Sequence, residues 1–234
     1  MCDPVTVQEK HMDAIIAANR ERWNALADAH VMHSMPFFEF TREDAARYVY
    51  RHEFITDVAS KRVLCLASGG GQDSMAFGLL GAAVTVLDLS DVQLSRDREG
   101  AARHGLQVET VQGDMRNLSM FADDAFDVVW QPYSLNYCPE VEPVFREVAR
   151  VLRPGGLYHL TFANPLAPTL DNDWDDARSP ATEKRILYRQ GAKMALRHRV
   201  LAIGHAREEI SFNAIRIADA YLDVVFHLES CVWI

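Results

Sequence analysis

Short apolar runs alternate with helical patterns along the middle of this chain, and this alternation restricts the fold more than any other sequence feature. Five runs have the length and composition of strands, and they cover residues 62–67, 83–88, 106–111, 126–130 and 157–162. Helical patterns separate them over residues 73–80, 91–103 and 142–152. Strands that are apolar on both faces and joined through helices form a parallel sheet covered on both sides. We expect an open, doubly wound α/β domain with a mostly parallel sheet, since five strands are too few for a (β/α)₈ barrel.

Segments of a different character flank this core. Residues 5–33 carry apolar or aromatic side chains at helical spacing, and Thr41 is a candidate N-cap of a second helix that reaches residue 54. After residue 163 the sequence predicts a loop over 164–180, a helix over 183–201, a strand over 208–212, a helix over 213–222 and a strand over 224–233. We assign residues 1–60 to a helical lid, 61–163 to the core and 164–234 to a C-terminal extension that completes the sheet and covers the acceptor side.

Composition narrows the range of partners. With 24 Lys plus Arg against 33 Asp plus Glu, the net charge of -9 repels polyphosphate, so we expect no nucleic-acid partner. No run approaches the ~20 apolar residues that span a bilayer, and the N-terminus lacks a leader pattern. The four cysteines are far apart, and the acidic cluster at residues 171–176 lacks the turn glycine of a calcium loop. We expect a cytoplasmic protein with a small-molecule partner, no membrane contact and no metal; the oligomeric state stays open.

The residues that follow each strand are the informative ones, because open α/β sheets bind ligands at the carboxyl ends of their strands. After the first strand come Ser68, Gly69, Gly70 and Gly71, where glycine lets the backbone approach a ligand closely and the next helix presents its N-terminal amides. Asp88 ends the second strand, where an acid is placed to accept hydrogen bonds from both hydroxyls of a ribose. A second interpretation is that Asp88 caps the following helix.

Five motifs stand at these strand ends in a fixed order. They are Val63-Leu64-Cys65-Leu66-Ala67-Ser68-Gly69-Gly70-Gly71, Val86-Leu87-Asp88-Leu89-Ser90, Gln112-Gly113-Asp114-Met115, Phe126-Asp127-Val128-Val129 and Leu152-Arg153-Pro154-Gly155-Gly156. Together they resemble the class I S-adenosylmethionine-dependent methyltransferases, and most closely the small-molecule branch that includes quinone-biosynthesis methyltransferases. The resemblance implies S-adenosylmethionine as cofactor and a Rossmann-like methyltransferase fold, whose seven-stranded sheet has an antiparallel last strand.

The resemblance also implies roles for residues on the methionine and ribose side of the cofactor. Gly69 and Gly71 would line the methionine part. Asp88 would hold the ribose hydroxyls, and Leu89 would lie against the adenine. The predicted cofactor site is extended by Ala67, Ser68 and Asp73.

Three further residues are implied at the third and fourth strands. Asp114 would accept a hydrogen bond from the adenine amino group, and the Met115 amide would lie near a ring nitrogen. Gln131 would sit beside the cofactor's amino group.

The chain departs from the family pattern in three places. The family has an acid in the first strand and a glycine two positions later, where this chain has Cys65 and Ala67. Asp73 is a candidate to compensate electrostatically for the missing acid. Because Ala67 has a Cβ, we expect a backbone without positive φ there. No strand follows residues 224–233, so we expect the final sheet strand to be absent or supplied by residues 208–212.

A methyl group on a sulfonium is already an activated electrophile, so the protein must hold an acceptor in line with it and exclude water. A general base is needed only for an acceptor that is protonated at neutral pH. The candidates are His30, His33, Tyr133 and Tyr137, and His159 is the weakest of them. We place the acceptor between the lid and the loop after the fourth strand. The predicted lining is Trp23, His30, Tyr133, Asn136 and Tyr137.

Two alternatives remain at this stage. A nicotinamide dehydrogenase also uses a glycine turn and an acid, but its fingerprint wants glycine where Ser74 stands. A non-catalytic cofactor-binding or regulatory protein fits the same fold, and the departures at Cys65 and Ala67 keep this alternative open. The basic residues between 178 and 207 fit either a site for an anionic acceptor or a solvated helix face.

Overall fold

The structure is a computed structural model that describes residues 7–30, 34, 39–51, 54–163, 210–217 and 221–228. The helices are α1 (Val7–Asp28), α2 (Arg42–Tyr50), α3 (Gln72–Leu79), α4 (Asp91–Arg103) and α5 (Val141–Val151), with a 3₁₀ helix over Ser134–Tyr137. The strands are β1 (Arg62–Leu66), β2 (Ala83–Asp88), β3 (Val108–Gln112), β4 (Phe126–Pro132), β5 (Leu152–Ala163), β6 (Ile210–Ile217) and β7 (Tyr221–Leu228).

The seven strands form one sheet in the order β3-β2-β1-β4-β5-β7-β6. Strands β1 to β5 pair in parallel, whereas β7 pairs antiparallel with both β5 and β6. The mostly parallel, doubly wound sheet and its antiparallel strand are therefore confirmed.

The structure decides between the two alternatives for the final strand, because the segment expected to supply it does so as β6, which begins at Ile210. The helix expected over residues 213–222 is wrong, since β6 and the start of β7 take its place. The physical reason is a bulge, because the register of β6 against β7 shifts between Phe212 and Ala214 and leaves Asn213 as an extra residue. A bulge interrupts the alternation by which a strand is detected.

Each face of the sheet carries its own apolar core, as a doubly wound fold requires. Side chains alternate along β1, so that Leu64 and Leu66 pack in the core that includes α5. Val63 and Cys65 face the core formed with α2 and α3. Because the helices cover both faces, the carboxyl edge of the sheet remains as the place for a ligand.

Other element bounds differ modestly from the predictions. Thr41 is the N-cap of α2 and forms a capping box with Asp44, but the helix ends at Tyr50. Strand β5 begins at Leu152, inside the predicted turn, because Leu152 pairs with Phe126 before a register shift. The predicted loop at 164–180, the helix at 183–201 and the basic segment at 178–207 lie outside the described residues. No helix in the described part of the chain has the length and apolar character needed to cross a membrane.

Candidate active site

The turn after β1 is built from consecutive residues in the left-handed region. Gly69, Gly70 and Gly71 have φ of 64°, 50° and 86°. Ala67 also has a positive φ, at 49°, so the expectation that alanine excludes this conformation is wrong. Although Ala67 lies just past the end of β1, its amide donates to the Leu87 carbonyl of β2 at 2.7 Å. This bond holds the alanine in its strained conformation.

Asp88 joins the glycine turn to the end of β2. Its carboxylate accepts hydrogen bonds from the backbone amides of Ser90, Gly69 and Leu89, with 2.8 Å between Ser90 N and Asp88 Oδ1. Burial nevertheless raises the pKa of Asp88 to about 6. The N-cap of α4 is Ser90, whose hydroxyl accepts from the Gln93 amide. Asp88 is thus not the cap, and it lies beside the backbone that a ligand at the glycine turn would contact.

The ends of β3 and β4 meet the same edge. The Gly113 amide donates to the Asp88 carbonyl at 3.0 Å, which brings the loop after β3 against β2. In that loop, Asp114 accepts hydrogen bonds from the guanidinium of Arg116, with Oδ2 at 2.7 Å from Nη2. The Gln131 amide lies behind them, donating to the Met115 sulfur at 3.2 Å.

Gln131 is fully buried, and both ends of its side-chain amide have partners. Its Oε1 accepts from the Tyr158 hydroxyl at 2.5 Å, while its Nε2 donates to Met115. A cofactor contact by this side chain can therefore use the second lone pair of Oε1 or the second amide hydrogen.

Buried polar atoms without a hydrogen-bond partner surround the glycine turn. Three of them can accept a hydrogen bond, namely Ser68 Oγ, Gln72 Oε1 and Asp73 Oδ2. One is a donor, the Nε2 of Gln93, whose Oε1 accepts from the Gly70 amide at 2.8 Å. Unpartnered buried acceptors cost free energy, so such a cluster indicates a missing donor or cation. A ligand with an ammonium group and a sulfonium centre, such as S-adenosylmethionine, fits this set of acceptors.

Helix α1 connects the two sides of this edge. On one side, Asn19 donates to the Tyr137 carbonyl at 2.8 Å, and the ring of Trp23 meets that of Tyr137 edge to face at 5.0 Å. On the other side, Asn24 accepts from the Ser90 hydroxyl at 2.5 Å. The helix thus reaches from the segment after β4 to the N-terminus of α4.

The predicted acceptor residues lie in two places. Tyr133 and Tyr137 are exposed at 36% and 50% beside the 3₁₀ helix, with exposed Asn136 between them. Tyr133 has a φ of 55° and donates its amide to the Thr161 carbonyl at 2.7 Å. The structure therefore brings Trp23 and the residues after β4 together.

His30 lies in the turn that follows the C-terminal end of α1. Its Nδ1 is 3.1 Å from the guanidinium of Arg96 on α4. This contact places His30 beside α4. His159, by contrast, is 1% exposed and stacks on Trp130 at 3.8 Å, as expected for a strand residue under a helix.

Sequence reasoning missed the residues that hold Asp73 in place. Tyr48 of α2 and Trp130 of β4 donate to its Oδ1 at 2.8 and 2.9 Å. These residues lie 25 and 57 positions away along the chain, and only the buried polar character of Asp73 could have indicated such partners. Within the described ranges, no group of three or more His, Cys, Asp or Glu side chains is arranged to hold a metal ion.

Comparison with known proteins agrees with this geometry. Residues 64–160 match the model of a methyltransferase domain family. An uncharacterised methyltransferase of Bacillus subtilis, YbaJ, is 35% identical over 161 residues, which are 69% of this chain and 63% of that protein. A demethylmenaquinone methyltransferase of Clavibacter sepedonicus is 34% identical over 122 residues, 52% of this chain and 49% of the relative. The chain therefore spans less than two thirds of the length of these relatives.

A solved structure shows the same fold. An S-adenosylmethionine-dependent methyltransferase from Mesorhizobium loti superposes with a TM-score of 0.60 at 19% identity, covering 80% of this chain and 99% of that one. The sequence matches favour a methyltransferase over the nicotinamide dehydrogenase considered above. With its ordered motifs, its seven-stranded sheet and its methyltransferase domain, the chain belongs to the class I S-adenosylmethionine-dependent methyltransferases.

Proposed function

We propose that this protein transfers a methyl group from S-adenosylmethionine to a small organic acceptor by in-line displacement. The observation that carries the proposal is the set of unpartnered acceptors at Ser68, Gln72 and Asp73 around a left-handed glycine turn. These atoms match the cationic part of the cofactor that the family uses. When bound, S-adenosylmethionine supplies a methyl group on a sulfonium, which needs no further activation.

The residues of the chain would bind and orient the cofactor. Gly69 and Gly71 would give its methionine part access to the backbone, while Asp88 would bind the ribose hydroxyls. The adenine would lie among Leu89, Asp114 and Met115. The remaining proposed cofactor contacts are Ala67, Ser68, Asp73 and Gln131.

The acceptor would bind between α1 and the segment after β4. Trp23, Tyr133 and Tyr137 offer aromatic surface, and Asn136 offers a polar group, which suits a small aromatic acceptor. The demethylmenaquinone methyltransferase among the relatives supports this class of acceptor. Tyr133 and Tyr137, each as its phenolate, are the proposed proton acceptors, and His30 beside Arg96 is a third candidate.

Helix α1 would act as a lid that excludes water from the acceptor. Its bonds through Asn19 and Asn24 hold it across the carboxyl edge of the sheet. A water-free pocket strengthens the electrostatic interactions that align the acceptor with the methyl group.

Isothermal titration calorimetry tests the proposal. The full chain should bind S-adenosylmethionine and S-adenosylhomocysteine at one site and should not bind NADH. Asp88→Asn should lower the affinity for both adenosyl ligands by at least tenfold, because charge-assisted hydrogen bonds to the ribose are each worth about 1.5–3 kcal/mol. Asp124→Asn is the matched control, since it removes the same charge from an exposed position at the amino end of β4. Binding of NADH without either adenosyl ligand would contradict the proposal.

Turnover separates an enzyme from a non-catalytic binding protein. Conversion of S-adenosylmethionine to S-adenosylhomocysteine should depend on an added acceptor, with small phenols and quinols as the first class to screen. Tight binding without conversion on any acceptor of these classes would favour the non-catalytic alternative.

A further inference from the structure

Asp73 is a fully buried carboxylate that is satisfied on one oxygen only. Its exposure is 0%, and Oδ1 accepts hydrogen bonds from the Tyr48 hydroxyl at 2.8 Å and the Trp130 indole at 2.9 Å. Oδ2 is buried without a partner. Two donors on one oxygen fix the orientation of the carboxylate and leave the other oxygen without a hydrogen bond.

Asp73 lies next to the glycine turn. It is the second residue of α3, directly after the glycine turn. Its partner Trp130 pairs in register with Cys65 of β1, so the carboxylate lies over the strands that end at the site. Cys65 occupies the position of the acid in the family pattern. Burial, reinforced by the charge of Asp73, raises the pKa of the Cys65 thiol well above its usual value. The thiol therefore stays neutral and cannot replace the missing charge.

A buried carboxylate without a cation is costly. Burial raises the pKa of Asp73 to about 6, while the bonds from Tyr48 and Trp130 and the charge of Arg51 act in the opposite direction. At neutral pH the group is therefore mostly ionised and carries a negative charge in the interior. A positive ligand group beside Oδ2 would relieve this cost.

We propose that Asp73, held by Tyr48 and Trp130, is the counter-ion of a cationic group of the bound cofactor and replaces the acid that this chain lacks at Cys65. The inference rests on the proposed function, since it concerns the same cofactor site. Two groups of S-adenosylmethionine have the required charge, the sulfonium and the ammonium. Tyr48 belongs to α2, so the segment before the core would contribute to cofactor binding as well as to the lid.

Calorimetry with three ligands tests this inference and separates the two cations. S-adenosylmethionine carries both cations, S-adenosylhomocysteine keeps only the ammonium, and 5′-methylthioadenosine has neither. Asp73→Asn should lower the affinity for S-adenosylmethionine by at least tenfold and leave the affinity for 5′-methylthioadenosine unchanged. An equal loss for S-adenosylhomocysteine assigns Asp73 to the ammonium, and an unchanged affinity for it assigns Asp73 to the sulfonium.

A second buried acid provides the matched control. Asp97 of α4 is also fully buried, and its carboxylate accepts from the Ser74 hydroxyl. Burial raises the pKa of Asp97 well above its usual value, with a smaller contribution from the charges of Asp88 and Asp73. Because this favours the neutral acid, Asp97→Asn should leave the ratio of the three affinities unchanged.

The results that overturn the inference are distinct from those that overturn the proposed function. If the parent protein binds neither adenosyl ligand, the proposed function fails. If the parent binds them and a folded Asp73→Asn variant binds all three ligands as the parent does, or loses all three equally, Asp73 is not the counter-ion. Should that variant not fold, Tyr48→Phe replaces it. This change should lower the affinity for S-adenosylmethionine several-fold, and it lowers the affinity for S-adenosylhomocysteine as well if Asp73 faces the ammonium. Unchanged affinities in Tyr48→Phe would then overturn the inference.

Discussion

At the scale of single residues, the turn after β1 stores strain at Ala67. The left-handed region costs an L-residue with a Cβ roughly 1–2 kcal/mol of conformational energy, and glycine does not have this cost. The alanine methyl is partly buried against the core that contains Leu64 and Leu66, and this packing offsets part of the cost. The turn therefore retains a shape that glycine would adopt more readily.

This strain makes Ala67→Gly an unusual glycine substitution. The unfolding free energy should stay unchanged or rise by up to about 1 kcal/mol, as strain relief balances the lost methyl and the greater freedom of the unfolded chain. Ala76→Gly is the control, because Ala76 is buried inside α3 and its loss should cost about 1 kcal/mol or more. Chemical denaturation measures both. Equal destabilisation by the two changes would show that the turn is not strained.

The buried carboxyl of Asp73 predicts a pH dependence. Its folded pKa of about 6 lies above its ordinary value of 3.8, so the folded state binds the proton more tightly than the unfolded state. Its contribution to stability is complete below pH 4 and is lost as the pH rises through 6. The groups coupled to it are Tyr48, Arg51, Cys65 and Asp97.

Comparison with Asp73→Asn isolates this effect from the other titrating groups. Between pH 4 and pH 7.5, the unfolding free energy of the parent should fall by about 2–3 kcal/mol relative to that of the variant, because only the parent has the carboxyl that must lose its proton. Urea denaturation of both proteins without ligand measures the difference. A difference that stays constant over this range, or grows in favour of the parent, would contradict the prediction.

At the scale of elements, α1 is attached by polar contacts more than by core packing. Among its described side chains, from residue 13 onward, only Ala27 is buried. The contacts of Asn19, Trp23 and Asn24 span the site without entering either core. An element held in this way can be removed, or can open, at a small cost in global stability.

Deletion of residues 1–33 should therefore abolish methyl transfer while the sheet domain stays folded. The core loses little apolar packing, whereas the acceptor site loses Trp23 and its cover against water. Circular dichroism and thermal unfolding check the fold, and turnover on an acceptor that the full chain methylates checks the lid. Some loss of cofactor affinity is allowed. Full turnover in the truncated protein would show that α1 is not the lid.

At the scale of the whole molecule, the sequence predicts the parallel part of the fold well. Strand β2 and helix α4 have the predicted bounds, because each combines a regular apolar period with a clear end signal. The sequence predicts part of β6 as a helix because the bulge changes the apolar period of the strand. Its large apolar residues stand at 210, 212, 215 and 217, and the step of three across the bulge resembles helical spacing.

The site is predictable only where it follows the strands. Asp88 and the glycine turn are local signals, so the sequence alone indicates them as candidates. The bonds from Tyr48 and Trp130 to Asp73 depend on tertiary packing between α2, α3 and β4, which no local pattern contains. The pairing of His30 with Arg96 likewise depends on where α1 crosses α4.

A crystal structure with S-adenosylhomocysteine tests the central claim most directly. We predict that the ribose hydroxyls lie within about 3.2 Å of the Asp88 carboxylate, and that the sulfur faces the space between Trp23 and the tyrosines 133 and 137. The amino-acid part should lie along the glycine turn above Asp73. A ligand bound elsewhere, or a sulfur that points away from Tyr133 and Tyr137, would contradict this account of the cofactor and acceptor sites.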